Sequence, residues 1–285
     1  MFEFPEIIYI PLNKWIDVAV EWVTIEGEVI FDAIGEVLLV PMLFLERVLL
    51  WLPWFVIILL IMFAAWRAKG WKMAVAILVG MVFIGALGLW ELSMKTLAIV
   101  IAATLLAIIF GVPIGIAMAQ SDRIKGIVRP ILDMMQTMPS FVYLIPALML
   151  FGLGKVPALI STFIYAVPPV IRLTDLGIRQ VAEDVVEAAR AFGATSRQLL
   201  LKVQIPLATP TIMAGVNQTI MMALAMVVIA SMIGAGGLGT EVLNGIARLE
   251  VGRGFNGGIS IVIMAVIIDR LSQSLAKPKH VPSEE

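Results

Sequence analysis

Seven long runs without a single charged side chain constrain this chain more than any other feature. They cover residues 48–66, 73–90, 96–121, 134–154, 156–171, 203–240 and 254–268. A membrane-spanning helix needs about 17–25 mostly apolar residues, so most of these runs can cross a bilayer. Only 14% of the 285 residues are charged, whereas soluble domains carry roughly 25%. The runs therefore predict an all-α integral membrane protein with about seven transmembrane helices.

Two of the runs, 156–171 and 254–268, are short for a span. We expect the chain to complete them with charged residues whose long side chains reach the membrane surface. Arg172 would complete the first run, and Asp269 with Arg270 the second.

Prolines interrupt the apolar sequence at membrane depth. Pro139 and Pro146 predict a broken or kinked helix, and residues 168–169, both proline, predict the same at the cytoplasmic end of the fifth span. Freed backbone groups are tolerated in a membrane where they face protein or a water-filled path. Phe141 and Tyr143 lie between the first two prolines and are therefore candidate pathway residues, with helix–helix packing as the alternative.

The run 203–240 exceeds one span, and we expect its helix to begin near Pro210. Unpaired amides are costly in hydrocarbon, so Asn217 in this helix should face a neighbouring helix and hydrogen-bond to it, with a substrate contact as the alternative. Gly234–Gly239 at its end fits G-x-G-x-x-G. No strand precedes the motif, so it predicts a glycine-rich turn at the outer membrane face rather than a dinucleotide site.

The first 47 residues differ in charge from the rest. They hold nine acidic residues against only Lys14 and Arg47, and no basic segment precedes an apolar core, so a cleaved signal peptide is not expected. Val29–Leu45 has one apolar face, which predicts a helix along the membrane surface, with a buried packing helix as the alternative. Residues 48–90 would add two accessory spans. Tryptophans at their ends fit interfacial anchoring: Trp51, Trp54, Trp66, Trp71 and Trp90.

Lysine and arginine are distributed unevenly over the predicted loops. One side of the membrane would hold 14 of them and the other six, and the richer side is normally cytoplasmic. This places the amino terminus outside the cell. Residues 276–285, as a disordered tail, and the loop from Asp184 to Pro210 would lie in the cytoplasm.

The polar loop from Asp184 to Pro210 predicts two short helices joined by Gly193. Asp184 stands three residues before Glu187, a capping-box spacing that predicts the start of the first helix. Gly193 can supply the left-handed residue that ends it. Thr195–Gln198 repeats the capping spacing at the second helix. Prolines beyond it are expected to re-aim the chain as it returns to the membrane.

Three segments of this loop, Glu187–Ala189, Gly193 and Val203–Pro206, resemble the EAA loop of ABC importer permeases. The family pattern has Ile and Leu where this chain has Val203 and Ile205. The resemblance implies that the loop docks on an ATPase subunit and transmits its motion. The implied coupling residues are Glu187, Ala188, Ala189, Gly193, Val203, Ile205 and Pro206.

Residues 136–144, 168–181 and 214–233 are similar to the permease subunit of glycine betaine/proline betaine importers. The similarity implies a type I ABC importer transmembrane domain over residues 91–275, with the coupling loop at 174–210. It also implies a second permease copy, two cytoplasmic ATPase subunits that bind ATP and Mg²⁺, and an extracytoplasmic substrate-binding protein. The complex would import a quaternary ammonium osmolyte across a bacterial or archaeal plasma membrane, and this chain itself would hold no cofactor.

Three absences from the sequence limit other functions. No G-x-x-x-x-G-K-[ST] motif is present, so the chain has no P-loop for ATP. The predicted membrane interiors hold no acidic residue that could couple transport to an ion gradient. With no cysteine and one histidine, His280, no catalytic or metal site is expected, and no nucleic-acid partner. A permease for another small solute such as an amino acid, a channel or carrier, and a structural scaffold are the alternatives.

Overall fold

A computed structural model describes residues 11–275, and these residues are almost entirely helical. The helices are α1 (Leu12–Trp51), α2 (Trp54–Lys69), α3 (Trp71–Ala86), α4 (Trp90–Gln120), α5 (Asp122–Thr137), α6 (Leu144–Phe151), α7 (Lys155–Ala166), α8 (Pro168–Arg179), α9 (Glu183–Ala191), α10 (Ser196–Gln198), α11 (Ile205–Ala230), α12 (Leu238–Ala247) and α13 (Val251–Leu275). Short 3₁₀ segments occupy Ser140–Tyr143 and Ser231–Ile233, and a π-helical segment occupies Leu199–Gln204. The predicted tail at residues 276–285, with His280, lies outside the described part.

Four continuous helical stretches of the described chain are long and apolar enough to cross a membrane. They are Trp90–Gln120, Lys155–Arg179, Ser196–Ile233 and Val251–Gln273. Two sharply bent helix pairs raise the number of candidate spans to six, and α3, with 16 residues, is a shorter apolar helix. Two of the runs predicted as single spans, 48–66 and 134–154, are each divided by a bend, and neither forms one straight helix.

The run 48–66 is broken at Pro53. Leu52 has an extended backbone (ψ 130°), the conformation that a following proline favours. α1 consequently ends at Trp51, and α2 leaves at 100° to it. The tryptophans predicted as interfacial anchors all lie within one turn of a helix end.

The run 134–154 is broken in the same way at Pro139, as predicted. Met138 is extended (ψ 135°), and the chain bends by 113° between α5 and the 3₁₀–α6 segment. Pro146 does not add a kink, because it is the third residue of α6, where a missing N–H removes no intrahelical hydrogen bond.

Residues 168–169 do not end the fifth span. The two prolines occupy the first turn of α8, and Val167 alone separates α7 from α8, so Lys155–Arg179 forms one stretch. Arg172 lies inside this stretch, and Asp269 lies inside α13. Both short runs are thus extended by helix into charged sequence, as expected.

One face of α1 packs on the rest of the protein and the other does not. Met42 is fully buried, whereas Val29 and Val37 are 81% and 71% exposed. Lys155, the first residue of α7, donates hydrogen bonds of 2.8 and 2.6 Å to both carboxylate oxygens of Glu46. Val29–Leu45 is therefore part of a longer helix that is packed along one side only.

The largest buried cluster is centred on α11. Ala223, Met226 and Val227 of this helix are completely buried, among residues of α4 and α7. α2 and α3 belong to a separate cluster with α4 and α13, which contains Ile77 and Met81. The accessory hairpin α2–α3 thus lies at the side of a core formed by the later helices.

Two acidic residues lie beyond the uncharged runs but within helical stretches of spanning length. They are Asp175 in α8 and Asp269 in α13, because these helices continue past the uncharged runs into charged sequence. Each carboxylate is paired: Asp175 with Lys125 and Arg179, and Asp269 through hydrogen bonds from neighbouring amides.

Candidate coupling site

The first helix of the predicted coupling loop is α9. Its N-cap residue is Ala182, whose side chain makes no capping hydrogen bond. The capping box predicted for Asp184 and Glu187 is wrong, because Asp184 is already the second residue of the helix. Glu183 and Asp184 instead lie in the first turn, where carboxylates interact favourably with the helix dipole.

Gly193 ends α9 as predicted. Its φ of +80° lies in the left-handed region, which a residue with a side chain rarely adopts. The Ala194 N–H donates to the Ala189 carbonyl (3.0 Å), and the Gly193 N–H donates to the Arg190 carbonyl (2.9 Å). The helix therefore closes with a Schellman-type turn, which fixes the direction in which the chain leaves.

The second predicted cap is confirmed. The Gln198 N–H donates to Thr195 Oγ1 (3.3 Å), and the Thr195 N–H donates to Gln198 Oε1 (2.9 Å). The helix that starts here is not short, however. It continues through the π-helical segment into α11, so that one helical stretch runs from Ser196 to Ile233.

Pro206 and Pro210 therefore do not re-aim the chain, and the expected helix start near Pro210 is wrong. In an α-helix the ring of Pro206 would clash with the carbonyl four residues earlier. The π-helical segment Leu199–Gln204 widens the helix at this point. Val203 and Ile205 therefore belong to one continuous helical stretch, and both are half-buried.

The surface of α9 is open in this chain. Glu187 and Ala188 are exposed and Ala189 is half-buried. Phe192, directly before the helix-ending glycine, is 93% exposed, and Val185 is 41% exposed. The sequence interpretation missed Phe192, although an aromatic residue in a short polar loop could have indicated it. The helix thus presents a short apolar surface beside a carboxylate.

α8, which leads into this loop, is packed closely between α4 and α11. A β-carbon on Gly115 of α4 would lie 2.6 Å from the Thr174 β-carbon and 2.7 Å from the Ile171 carbonyl oxygen. A β-carbon on Gly215 of α11 would lie 3.1 Å from Cα of Val170. Because these contacts involve backbone atoms, the three helices have little freedom to slide past one another.

Ion pairs join α5 to α8 on the side of the coupling loop. The Asp175 side chain is 8% exposed and lies between Lys125 Nζ (2.9 Å) and Arg179 Nε (2.7 Å). Further contacts join the same two helices: Arg179 with Asp122, and Arg172 with Asp133. The sequence interpretation did not find this network, because its members are far apart in the chain.

The three candidate pathway residues lie in different surroundings. Phe141 is 54% exposed. Tyr143 is buried, its hydroxyl donates to the Met135 carbonyl, and its ring makes an edge-to-face contact with Tyr165 at 5.7 Å between centroids. Tyr143 therefore fixes the bend after α5.

Asn217 makes the interhelical hydrogen bonds expected of a polar residue within a span. Its Nδ2 donates to Asp269 Oδ1 at 3.0 Å, and its Oδ1 accepts from the Ser272 hydroxyl. Gln273 donates to the same carboxylate at 2.8 Å. These bonds connect α11 with α13.

The glycine-rich motif forms a turn against α4. The Leu238 N–H donates to Thr96 Oγ1 at 2.8 Å, and a β-carbon on Gly237 would lie 2.4 Å from that oxygen. A helix, not a strand, precedes the motif. Among residues 11–275, no three His, Asp or Glu side chains group closely enough to hold a metal ion.

The described chain thus combines helices of spanning length with one exposed helix, α9, between the closely packed α8 and α11. The chain belongs to the family described as binding-protein-dependent transport system inner membrane component, whose model matches residues 111–277. The matched segment includes α9 and the helices on both sides of it.

Curated relatives match nearly the whole chain. It is 50% identical over 272 residues to the glycine betaine/proline betaine transport system permease protein ProW of Escherichia coli (strain K12), covering 94% of this chain and 76% of the relative. It is 47% identical over 287 residues to the glycine betaine/carnitine transport permease protein GbuB of Listeria monocytogenes (96% and 98%). It is 44% identical over 270 residues to the glycine betaine transport system permease protein OpuAB of Bacillus subtilis (95% and 96%).

The fold is that of a type I ABC importer permease. Inward-facing crystal structures of the MetNI methionine ABC transporter superimpose with a TM-score of 0.58 at 20% sequence identity. The match covers 64% of this chain and 91% of the other. The chain is thus a multi-pass membrane permease of the bacterial ABC importer family, and these relatives are permease proteins of transport systems.

Proposed function

We propose that this chain is the transmembrane subunit of an ATP-driven importer for a quaternary ammonium compatible solute of the glycine betaine and proline betaine class. The names of the relatives at 44–50% identity support the substrate class. The complex would contain two copies of this chain, two cytoplasmic ATPase subunits that bind ATP and Mg²⁺, and an extracytoplasmic binding protein. The amino terminus would lie outside and the carboxyl terminus in the cytoplasm.

The observation that carries this proposal is the uncovered helix α9 with Phe192 at its end. A side chain of this size that is 93% exposed on a polar loop suits an anchor residue that fills a pocket on a partner. Glu187 beside it would add a charge that fixes the orientation of docking. We assign this surface to the groove of the ATPase subunit.

Motion of the ATPase would enter the membrane through helices that cannot move separately. α9 follows α8 and precedes α11, and Gly115 and Gly215 hold α8 against its neighbours. Asp175 links α8 to α5 through Lys125. A displacement of α9 would therefore move α8, α11 and α5 together, and the bend at Pro139 would carry that motion to Phe141.

The solute would pass along a surface without fixed charge. A zwitterion carries both a cation and an anion, so a charged pathway residue would hold one of its ends too tightly. Phe141 is the exposed candidate for this surface. Tyr143 and Asn217 would act indirectly, since their polar groups already bind other parts of the chain.

The proposal is tested by reconstituting the chain with its ATPase and binding protein in liposomes and measuring ATP hydrolysis and betaine uptake together. Phe192→Ala and Glu187→Lys should lower solute-stimulated hydrolysis and uptake while the chain still inserts into the membrane. Glu26→Lys, the same charge reversal on an exposed residue of α1, is the control and should transport normally.

Wild-type uptake in the Glu187→Lys and Phe192→Ala complexes would contradict the docking role. Uptake without ATP or without the ATPase would favour a channel or carrier. A binding protein that retains an amino acid rather than a betaine would move the chain to another solute class without changing the mechanism. Loss of uptake in Gly193→Pro with the complex intact would argue against a purely structural scaffold.

A further inference from the structure

The accessory hairpin α2–α3 leaves an open cavity at one of its ends. The cavity has a volume of about 430 Å³ and lies between α2, α3 and the first residue of α4. Its walls include Trp54 and Ile58 of α2, Met81, Val82 and Gly85 of α3, and Trp90 of α4. None of these side chains carries a charge, and the two indole rings contribute most of the aromatic surface.

The hairpin also contacts α13. A β-carbon on Gly80, in the middle of α3, would lie 2.8 Å from Ile263 of α13, and at the far end of the hairpin Lys69 Nζ donates to Gln273 Oε1 at 3.3 Å. A smaller cavity of about 90 Å³ adjoins the large one and shares Met81 and Trp90 with it. Ile84 of α3 is buried in one cluster with Leu238 and Met264, so one face of α3 stays packed on the core beside the cavity.

The position of the cavity fits the boundary region of a bilayer leaflet. Trp54 begins α2, Gly85 lies in the last turn of α3, and Trp90 begins α4, so these residues lie at the same end of antiparallel helices. Tryptophan at a helix end is typical of the membrane interface, where its N–H can meet the headgroup region and its ring the acyl chains.

We propose that one acyl chain of a membrane phospholipid occupies this cavity and fills the space between α2, α3 and Trp90. Apolar cavities stay dry and bind apolar molecules, and a cavity of roughly 150 Å³ already accommodates benzene. A space of about 430 Å³ has room for a longer apolar chain. The headgroup lies at the level of Trp54 and Trp90.

Two tryptophans can also bind a quaternary ammonium group through cation–π attraction. A zwitterionic or cationic ligand would bring its charge among Ile58, Met81 and Val82, where no side chain offers a hydrogen bond. The apolar lining therefore favours the acyl chain. The ammonium ligand is the competing outcome of the experiment.

Filling the cavity tests the proposal. A β-carbon on Gly85 would meet nothing within 4 Å, so Gly85→Leu places a side chain in the space without displacing a neighbour. Ala86→Leu is a second filling variant, for use if the first does not fold. Val79→Leu is the control, because Val79 lies outside the cavity lining and is 62% exposed. Native mass spectrometry of the purified full-length chain should find a phospholipid retained by the wild type and by Val79→Leu but lost from the filling variants.

A fluorescence experiment locates the bound lipid. In a variant that keeps Trp90 and replaces the other six tryptophans with phenylalanine, dibromostearoyl phosphatidylglycerol should quench Trp90, and Gly85→Leu should abolish the quenching. Equal lipid retention and equal quenching with and without the filling side chain would overturn the proposal. Protection of Trp90 from quenching by choline chloride would also overturn it, in favour of a quaternary ammonium site.

Discussion

Glycines in the helices around the coupling loop and the glycine at the end of the accessory hairpin have different surroundings. In α4 and α11, Gly115 and Gly215 let backbones approach so closely that a β-carbon would overlap a neighbour. In α3, Gly85 faces open space. The family model matches residues 111–277, which contain the closely packed helices and not the hairpin. Close approach of backbone atoms is thus found in the helices next to the coupling loop.

The largest expected effect comes from adding side chains to both regions. Gly115→Leu should destabilise the chain at the upper end of the roughly 1–3 kcal/mol typical of overpacking, because a backbone oxygen of α8 blocks the new atoms. Gly85→Leu should leave the unfolding temperature almost unchanged. Thermal unfolding of the two purified variants measures the difference, and equal losses would show that the two regions are packed alike.

The ion pairs between α5 and α8 test whether the closely packed region includes α5. Asp175→Asn leaves Lys125 and Arg179 without their shared partner, and should cost about 1–3 kcal/mol, between the values for exposed and buried pairs. Asp133→Asn removes a carboxylate whose side chain is 55% exposed and should cost less than about 1 kcal/mol. If Asp175→Asn kept both full stability and full coupling of ATP hydrolysis to uptake, α5 would not belong to the moving unit.

Removing the cap at Thr195 tests how rigidly α11, which belongs to the closely packed region, is joined to α9. Thr195→Ala removes the acceptor of the Gln198 N–H and should cost about 1 kcal/mol locally. The expected result is weaker stimulation of ATP hydrolysis at nearly normal overall stability. Thr209→Ala is matched, since that hydroxyl donates to the Ile205 carbonyl of its own helix; a similar loss of stimulation in this variant would rule out a specific role for the cap.

The smallest effect is expected beyond both regions, where α12 meets α13. Arg253 hydrogen-bonds to Glu241 and thereby lowers the pKa of this carboxyl group. The pair should therefore stabilise the folded chain above the ordinary glutamate pKa of about 4.3 and lose that effect as the pH falls through the lowered pKa. Glu241→Gln should remove this part of the acid dependence. An unchanged stability profile in acid would show that the pair contributes nothing.

Helical class and several local signals of the coupling loop were predictable from the sequence. Gly193 and the Thr195–Gln198 cap depend on interactions within a few residues, so their spacing was sufficient. The helix boundaries were less predictable. An uncharged run indicates which residues tolerate hydrocarbon, but it does not show where a helix ends. Pro53 breaks a helix, whereas Pro206 and Pro210 lie within one, because the π-helical segment before Pro206 makes room for its ring.

The long-range contacts were not predictable in the same way. Asp175 pairs with Lys125, and Asn217 with Asp269, across separate helices. The residue types indicated that these groups needed partners, but the sequence alone did not specify which ones. The exposure of Phe192 also depends on the path of the whole loop. Contacts between separate helices therefore determine those parts of the coupling site that the spacing of residues in the sequence does not predict.

The contact between Glu46 and Lys155 has a practical consequence for anyone who shortens this protein. Lys155 opens the stretch of helix that ends at the coupling loop, and its ammonium group is neutralised by a carboxylate from the amino-terminal helix. A truncated chain beginning at Trp54 would keep every residue that matches the family model. It would nevertheless carry an unpaired positive charge at the start of the helical stretch α7–α8. The smallest chain that contains the family's sequence therefore need not be the smallest chain that functions.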